Sequence, residues 1–279
     1  MNGPDLVIFS DLDGCLLDAE TYAWEPARPA LELLRRRGIP LVLCSSKTRA
    51  EMEVHREEFG LGGPFIVENG GAVLIPEGYF PSAPGSRDPR DPYRRLPLGA
   101  AYARLTEALA DIQGATGLRL RGFGEMSAEE VSRLTGLALE AARRAKAREY
   151  DEPFLADLRP DQVERLEAEV MRRGLALTRA GRFYHLSGRH DKGVAVDVLA
   201  RLFRDRFPHV RTVGLGDGAN DLPMLARVDL PVIIPRGPAQ VDPALADRPW
   251  RVAPAAGPAG WGAAVQEIVG GPVPAVGAP

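Results

Sequence analysis

Four short segments carry side chains that could do chemistry together. Asp11-Leu12-Asp13-Gly14 holds two carboxylates at i and i+2. On one loop, one such group can be a ligand or nucleophile and the other a general acid/base. Gly14 lets the chain turn away sharply. Ser45-Ser46-Lys47-Thr48 offers hydroxyls and an ammonium, which are phosphate-binding groups. Lys192 stands alone at the start of a helical stretch, where a cation is slightly unfavourable with the helix dipole. Gly216-Asp217-Gly218-Ala219-Asn220-Asp221 adds two carboxylates at i and i+4, hard oxygen ligands suited to Mg²⁺. Taken singly, each segment has a plainer reading as an Asx-turn, a Ser/Thr helix cap or a solvated lysine.

The elements around these segments argue against four separate accidents. Leu6–Ser10, Leu41–Cys44 and Arg211–Leu215 are short apolar runs that read as buried strands. Asp11, Ser45 and Gly216 each follow one of them. Pro29–Arg37, Arg49–Phe59 and Lys192–Phe207 read as helices, which gives a βαβ rhythm and a parallel sheet. Ligands of open α/β sheets bind outside the carboxyl ends of the strands. The rhythm breaks near residue 80. Phe80–Leu98 is rich in Pro, Arg and Asp and reads as a linker, and the stretch to Ser187 is α+β in pattern. The expected fold is therefore a doubly wound, Rossmann-like α/β core, residues 1–83 and 188–279, with an α+β domain inserted at 84–187. The Gly/Pro/Ala-rich end, Gly270–Pro279, reads as frayed.

Composition limits the partners. The net charge is −3, so no basic field exists to hold nucleic acid or an anionic membrane surface. No apolar run approaches the roughly 18 residues of a membrane span, and the first residues lack the basic n-region of a signal peptide. Two cysteines, Cys15 and Cys44, make no disulfide framework, which fits a reducing cytoplasm. Lysine occurs only at 47, 146 and 192, and every other basic residue is arginine. That bias, with 25 prolines, suits a heat-loving source. It also makes each retained lysine worth explaining.

The four segments together resemble the motifs of the haloacid dehalogenase superfamily of phosphatases. The paired aspartates appear as Asp11-Leu12-Asp13-Gly14-Cys15-Leu16, with Cys15 where Thr is usual. The hydroxyl matches Ser45, the lysine Lys192, and the acidic loop Gly216-Asp217-Gly218-Ala219-Asn220-Asp221. The resemblance implies that Asp11 is the nucleophile and Asp13 the acid/base. It implies that Ser45 and Lys192 bind the transferring phosphoryl group, and that Asp11, Asp13, Asp217 and Asp221 form the Mg²⁺ site. The stretch between Asp13 and Ser45 is too short for a cap domain, whereas that between Ser45 and Lys192 is not. A cap in that place resembles the branch acting on sugar phosphates and other small phosphate esters.

Within that branch, four segments resemble the phosphatase family that acts on mannosyl-3-phosphoglycerate. They are Ser45–Thr48, Glu68-Asn69-Gly70-Gly71, Glu149–Phe154 and Gly188-Arg189-His190-Asp191-Lys192-Gly193. The likeness implies substrate contacts from Ser46, Lys47, Glu68, Asn69, Gly70, Glu152, Gly188, Arg189, His190 and Asn220. It implies a small phosphate-ester substrate, no nucleic acid or membrane partner, and a monomer or homodimer. The corresponding glucosyl ester is a close competitor.

Rival readings are weaker. Gly214-Leu215-Gly216-Asp217-Gly218-Ala219 matches a dinucleotide fingerprint, but Asp217 would face a pyrophosphate, and Val232–Pro235 stands where an acidic ribose ligand belongs. Cys44 and Arg49 are spaced one residue too closely for a thiol-phosphatase loop. A mutase or a non-catalytic sugar-phosphate sensor on the same fold differs in outcome with Mg²⁺ and ester: a moved phosphoryl group, or binding without turnover.

Overall fold

The structure is a computed structural model and describes residues 4–237 and 240–271. Its centre is a five-stranded parallel sheet in the order β13-β12-β11-β1-β2. These strands are β1 (Leu6–Ser10), β2 (Leu41–Leu43), β11 (Arg211–Gly216), β12 (Leu230–Ile233) and β13 (Arg251–Val252). β1 is buried along its whole length because both sheet faces are covered. Leu6 and Ile8 enter a layer with Leu34 and Trp261, while Val7 and Phe9 enter another with Leu199 and Phe203. Those partners come from α1 (Arg28–Arg37) and α10 (Gly257–Gly270) on one side, and from α7 (Lys192–Arg206) on the other.

The chain runs from β1 to β2 on one flank, whereas β11 pairs with β1 on the other. The carboxyl end of β1 is thus the switch point where an α/β sheet opens a crevice. α2 (Arg49–Glu58) begins there with a capping box, Thr48 accepting from the Glu51 N–H and Glu51 from the Thr48 N–H. α10, a helix not anticipated from the sequence, buries Trp261, Ala264, Val265 and Ile268 against the sheet. Its expected frayed continuation, residues 272–279, lies outside the described residues, as do residues 1–3.

A second sheet, β3-β4-β6-β5, is antiparallel. Its strands are β3 (Phe65–Val67), β4 (Ala72–Pro76), β5 (Ser86–Arg87) and β6 (Tyr93–Pro97). A Cys44–Ile66 bridge joins it to the edge of the central sheet. Strands β5 and β6 fall within 84–187, the stretch expected to be inserted, yet they extend the β3–β4 sheet: Ala72 to Pro76 pair with Pro97 to Tyr93. The two added strands are short and only partly buried or exposed, so they show no apolar alternation to read.

The remaining insertion builds its own antiparallel sheet, β7-β8-β10-β9: β7 (Arg121–Gly122), β8 (Asp151–Leu155), β9 (Ala176–Ala180) and β10 (Phe183–Ser187). α3 (Tyr102–Thr116) and α6 (Pro160–Arg172) pack on one face, around Phe154, Tyr184 and Leu186. The hairpin α4 (Ala128–Thr135) and α5 (Leu139–Lys146) covers Leu155 and Phe183. We propose that the cap comprises about residues 99–188.

Candidate active site

The β1–β11 register sets Asp11 beside the acidic loop: the Asp11 N–H donates to the Leu215 carbonyl at 2.9 Å. Lys192, the first residue of α7, is fully buried. Its Nζ donates to Asp11 Oδ1 at 2.8 Å and to Asp221 Oδ1 at 2.6 Å. Burial opposes the charge on Lys192, but the two carboxylates outweigh it and hold its pKa well above the ordinary value. Burial, then the neighbouring Asp221 charge, push Asp11 well above the carboxylate range, with Lys192 opposing them. Asp221 is fully committed within the protein: Oδ2 accepts from the Asp217 N–H at 2.9 Å and the Gly218 N–H at 3.1 Å.

The other side of Asp11 has the chemistry of a cation site. Oxygens of Asp11 and Asp217 and the Cys15 sulfur all lie within 4.8 Å of one another. Gly14 leaves the room, since a Cβ there would stand 2.7 Å from Asp217 Oδ2 at a φ of +75°. Burial and Asp221 also raise Asp217, against the pull of Arg236. The two carboxylates suit a hard cation, which would let them stay ionised, whereas burial and Asp217 keep the Cys15 thiol protonated and no ligand for such an ion. Arg236, which the sequence did not single out, places Nε 2.6 Å from Asp217 Oδ2 and Nη1 3.1 Å from Asp242.

The loop after β2 supplies donors. Ser45 is buried, and its Oγ accepts from the Lys47 N–H at 3.2 Å. Lys47 Nζ lies 2.8 Å from Asp13 Oδ1 and 5.1 Å from the Tyr22 ring centre. Burial disfavours this ammonium, yet Asp13 and Glu51 raise its pKa overall. The Ser46 carbonyl accepts from Arg148 Nη1 at 2.9 Å, which ties the cap to the loop. Behind Asp11, Trp261 Nε1 donates to Ser10 Oγ at 2.8 Å, and Ser10 Oγ to the Asp11 carbonyl at 2.7 Å. Neither arginine nor tryptophan has a local sequence signal.

The expected specificity residues divide. Asn69 Oδ1 accepts from Asn220 Nδ2 at 3.2 Å, joining two of the motif loops. Gly70, at φ +95°, allows the turn to touch the start of α7, because a Cβ would collide with the Asp191 carbonyl. His190 Nε2 donates to the Glu68 carbonyl at 3.1 Å, and burial lowers its pKa. Gly188 packs on Ala100. Arg189 is exposed, with no ion-pair partner found among the described residues. Glu152 is 1% exposed and lies on the face under α3, accepting from the Gly124 N–H at 2.9 Å.

Glu68 serves the cap backbone. Its carboxylate accepts from the Glu149 N–H at 3.0 Å and the Tyr150 N–H at 2.9 Å. Burial pushes its pKa to about 7, with Arg148 and those N–H groups opposing. Glu68→Ala is expected to cost about 1–3 kcal/mol by stranding two buried donors. Because the folded pKa is raised, Glu68's linked contribution is complete below its ordinary value and is lost as pH rises through about 7. Urea denaturation should therefore show a larger deficit at pH 5 than at pH 8.

The family of haloacid dehalogenase-like hydrolases matches residues 8–80. The chain is 40% identical over 264 residues to a glucosyl-3-phosphoglycerate/mannosyl-3-phosphoglycerate phosphatase of Methanococcoides burtonii, covering 95% of this chain and 97% of that one. It is 40% identical over 229 residues to a mannosyl-3-phosphoglycerate phosphatase of Pyrococcus furiosus, covering 82% and 90%. Among solved structures, BT1666 from Bacteroides thetaiotaomicron has a TM-score of 0.62 at 18% identity, covering 94% of this chain and 93% of that one, a likeness of fold. The chain belongs to the haloacid dehalogenase-like hydrolases, and among them to the family of these glycosyl-3-phosphoglycerate phosphatases.

Proposed function

We propose that this protein hydrolyses mannosyl-3-phosphoglycerate to mannosylglycerate and phosphate, with the glucosyl ester as a close alternative. The observation that carries the reading is Asp11, held by buried Lys192 at the end of β1 beside Asp217. The names of the two relatives support the substrate. An Asp11 carboxylate oxygen attacks phosphorus in line, and the bond to the ester oxygen breaks. Asp13 gives a proton to that oxygen. Asp13 then takes a proton from the water that attacks phosphorus, and Asp11 is released with inorganic phosphate. Lys192 and Ser45 bind the phosphoryl oxygens. Asp221 is a positioning residue, since its oxygens hold Lys192 and the loop N–H groups.

Asp11, the Asp13 carbonyl and Asp217 are the groups that would hold Mg²⁺. Bound there, the ion would lessen the repulsion between anionic nucleophile and anionic ester. Chelator is expected to stop phosphate release until Mg²⁺ is restored, and Asp217→Asn to weaken Mg²⁺ binding at least about tenfold by calorimetry. Full activity in excess chelator overturns this assignment. Arg189, exposed and with no ion-pair partner found among the described residues, is a cation suited to the glycerate carboxylate. A reducing cytoplasm suits the two free, buried cysteines. No helix among the described residues is long and apolar enough to cross a membrane. A monomer or homodimer completes the reading.

The deciding experiment measures phosphate release with Mg²⁺ from both glycosyl esters, 3-phosphoglycerate, simple sugar phosphates and an aryl phosphate. The glycosyl esters should have the highest kcat/KM. A tenfold preference for a simple sugar phosphate would discard the substrate while leaving the catalytic assignment standing.

A further inference from the structure

One carboxylate in the cap is buried, lies beside the catalytic loop and is half used. Alternation along β8 and β10 puts Asp151 and His185 on the sheet face opposite α3 and α6, away from Glu152. Arg148 joins this pair to the core: its Nη1 donates to the Ser46 carbonyl at 2.9 Å and stands 3.4 Å from Asp151 Oδ2. The same Oδ2 accepts from His185 Nδ1 at 2.8 Å. Asp151 is 5% exposed, and its Oδ1 has no hydrogen-bond partner in the protein. Both neighbouring donors are spent on Oδ2. A buried carboxylate oxygen left in this state calls for a donor from outside the chain.

We infer that Asp151 Oδ1 and His185 Nε2 form a subsite in the cap that accepts hydrogen bonds from sugar hydroxyls of the leaving group, with Arg148 as its positioning residue. In the tautomer that donates Nδ1–H to Asp151, Nε2 is a second acceptor. Two acceptors side by side suit neighbouring hydroxyls and offer no donor to phosphate or carboxylate. The anionic ends of an ester are thereby directed to Lys192, Ser45 and Arg189, and the neutral sugar to the cap. Arg148 ties the position of Asp151 to the residue next to Ser45. The inference rests on the reading that the substrate carries a sugar.

The test compares kcat/KM for the mannosyl and glucosyl esters with that for 3-phosphoglycerate, which lacks the sugar. Asp151→Asn is expected to lower this ratio about 30-fold and His185→Ala about tenfold, since a site built to bind hydroxyls loses discrimination when an acceptor goes. Single-deoxy sugar esters supply the readout that a merely structural role would not move. At least one should cost the wild-type enzyme about tenfold, and much less in Asp151→Asn, because the two changes remove the same contact. Ratios within threefold of wild type, or deoxy penalties equal in both proteins, overturn the subsite. Should the variants not fold, indifference of the wild-type enzyme to every deoxy ester overturns it alone. A wild-type enzyme that releases no phosphate from either glycosyl ester overturns the substrate reading and this inference with it.

Discussion

Asp11→Asn is expected to reduce phosphate release by at least about 10⁴-fold without unfolding the protein. An amide has nearly the shape of the carboxylate but is no nucleophile. It can still accept from Lys192, which keeps its partner Asp221. The substitution also removes a buried carboxylate whose pKa burial and the neighbouring Asp221 and Asp217 charges raise. The melting temperature should hold or rise, so lost activity is not lost fold. Acid-quenched single-turnover assays with the variant should show no hydroxylamine-labile protein phosphate. Near-normal turnover by a folded Asp11→Asn protein would remove the covalent mechanism.

Lys192→Met should be as damaging, and to stability as well. Lys192 is fully buried between two carboxylates, and methionine preserves most of the volume without the charge. Removing one partner of a buried ionic cluster leaves uncompensated charge and costs about 3–5 kcal/mol. The pH dependence distinguishes this cause from poor packing. Asp11 has a raised pKa in the fold, so the native state holds that proton more tightly than the unfolded chain. Falling pH therefore relieves the variant, and its deficit should shrink from pH 8 to pH 5. Lys192 has its own pKa raised, so in the wild-type protein its contribution persists until pH climbs past the ordinary value of 10.5. A deficit independent of pH in urea titrations would assign the loss to packing.

What was legible in the sequence lay at strand ends. Asp11, Ser45 and Asp217 follow apolar runs whose parallel pairing could be inferred, and that pairing converges them. Lys192 stood out because lysine is rare in this chain. Arg236 and Arg148 did not, since arginine is its default cation and their partners are set by tertiary structure. Glu68 was expected to face substrate, but its carboxylate is used by backbone N–H groups of the cap, a contact no local pattern encodes. β5 and β6 were invisible for another reason. Short strands with no buried stripe look like the Pro- and Arg-rich linker they interrupt. Glu152 turns to the face covered by α3 because it alternates with Asp151 and shares the side of Phe154 along β8, a facing that no local pattern announces.

The bond from Trp261 to Ser10 joins positions 251 residues apart. On the ribosome, β1 is made early and the helix carrying this tryptophan late. At about 5–20 residues per second, the end of β1 waits on the order of ten to fifty seconds for its brace. β11, which must pair with β1, is also made long after it. The central strand thus spends most of its biosynthesis as an apolar segment without neighbours on one edge, a species that invites aggregation. A nascent chain can complete its cap, whose strands are closer in sequence, before its catalytic half closes. Chaperone dependence should accordingly track the core rather than the insertion, and a reporter of phosphatase activity on stalled chains should stay silent until the final helix has emerged.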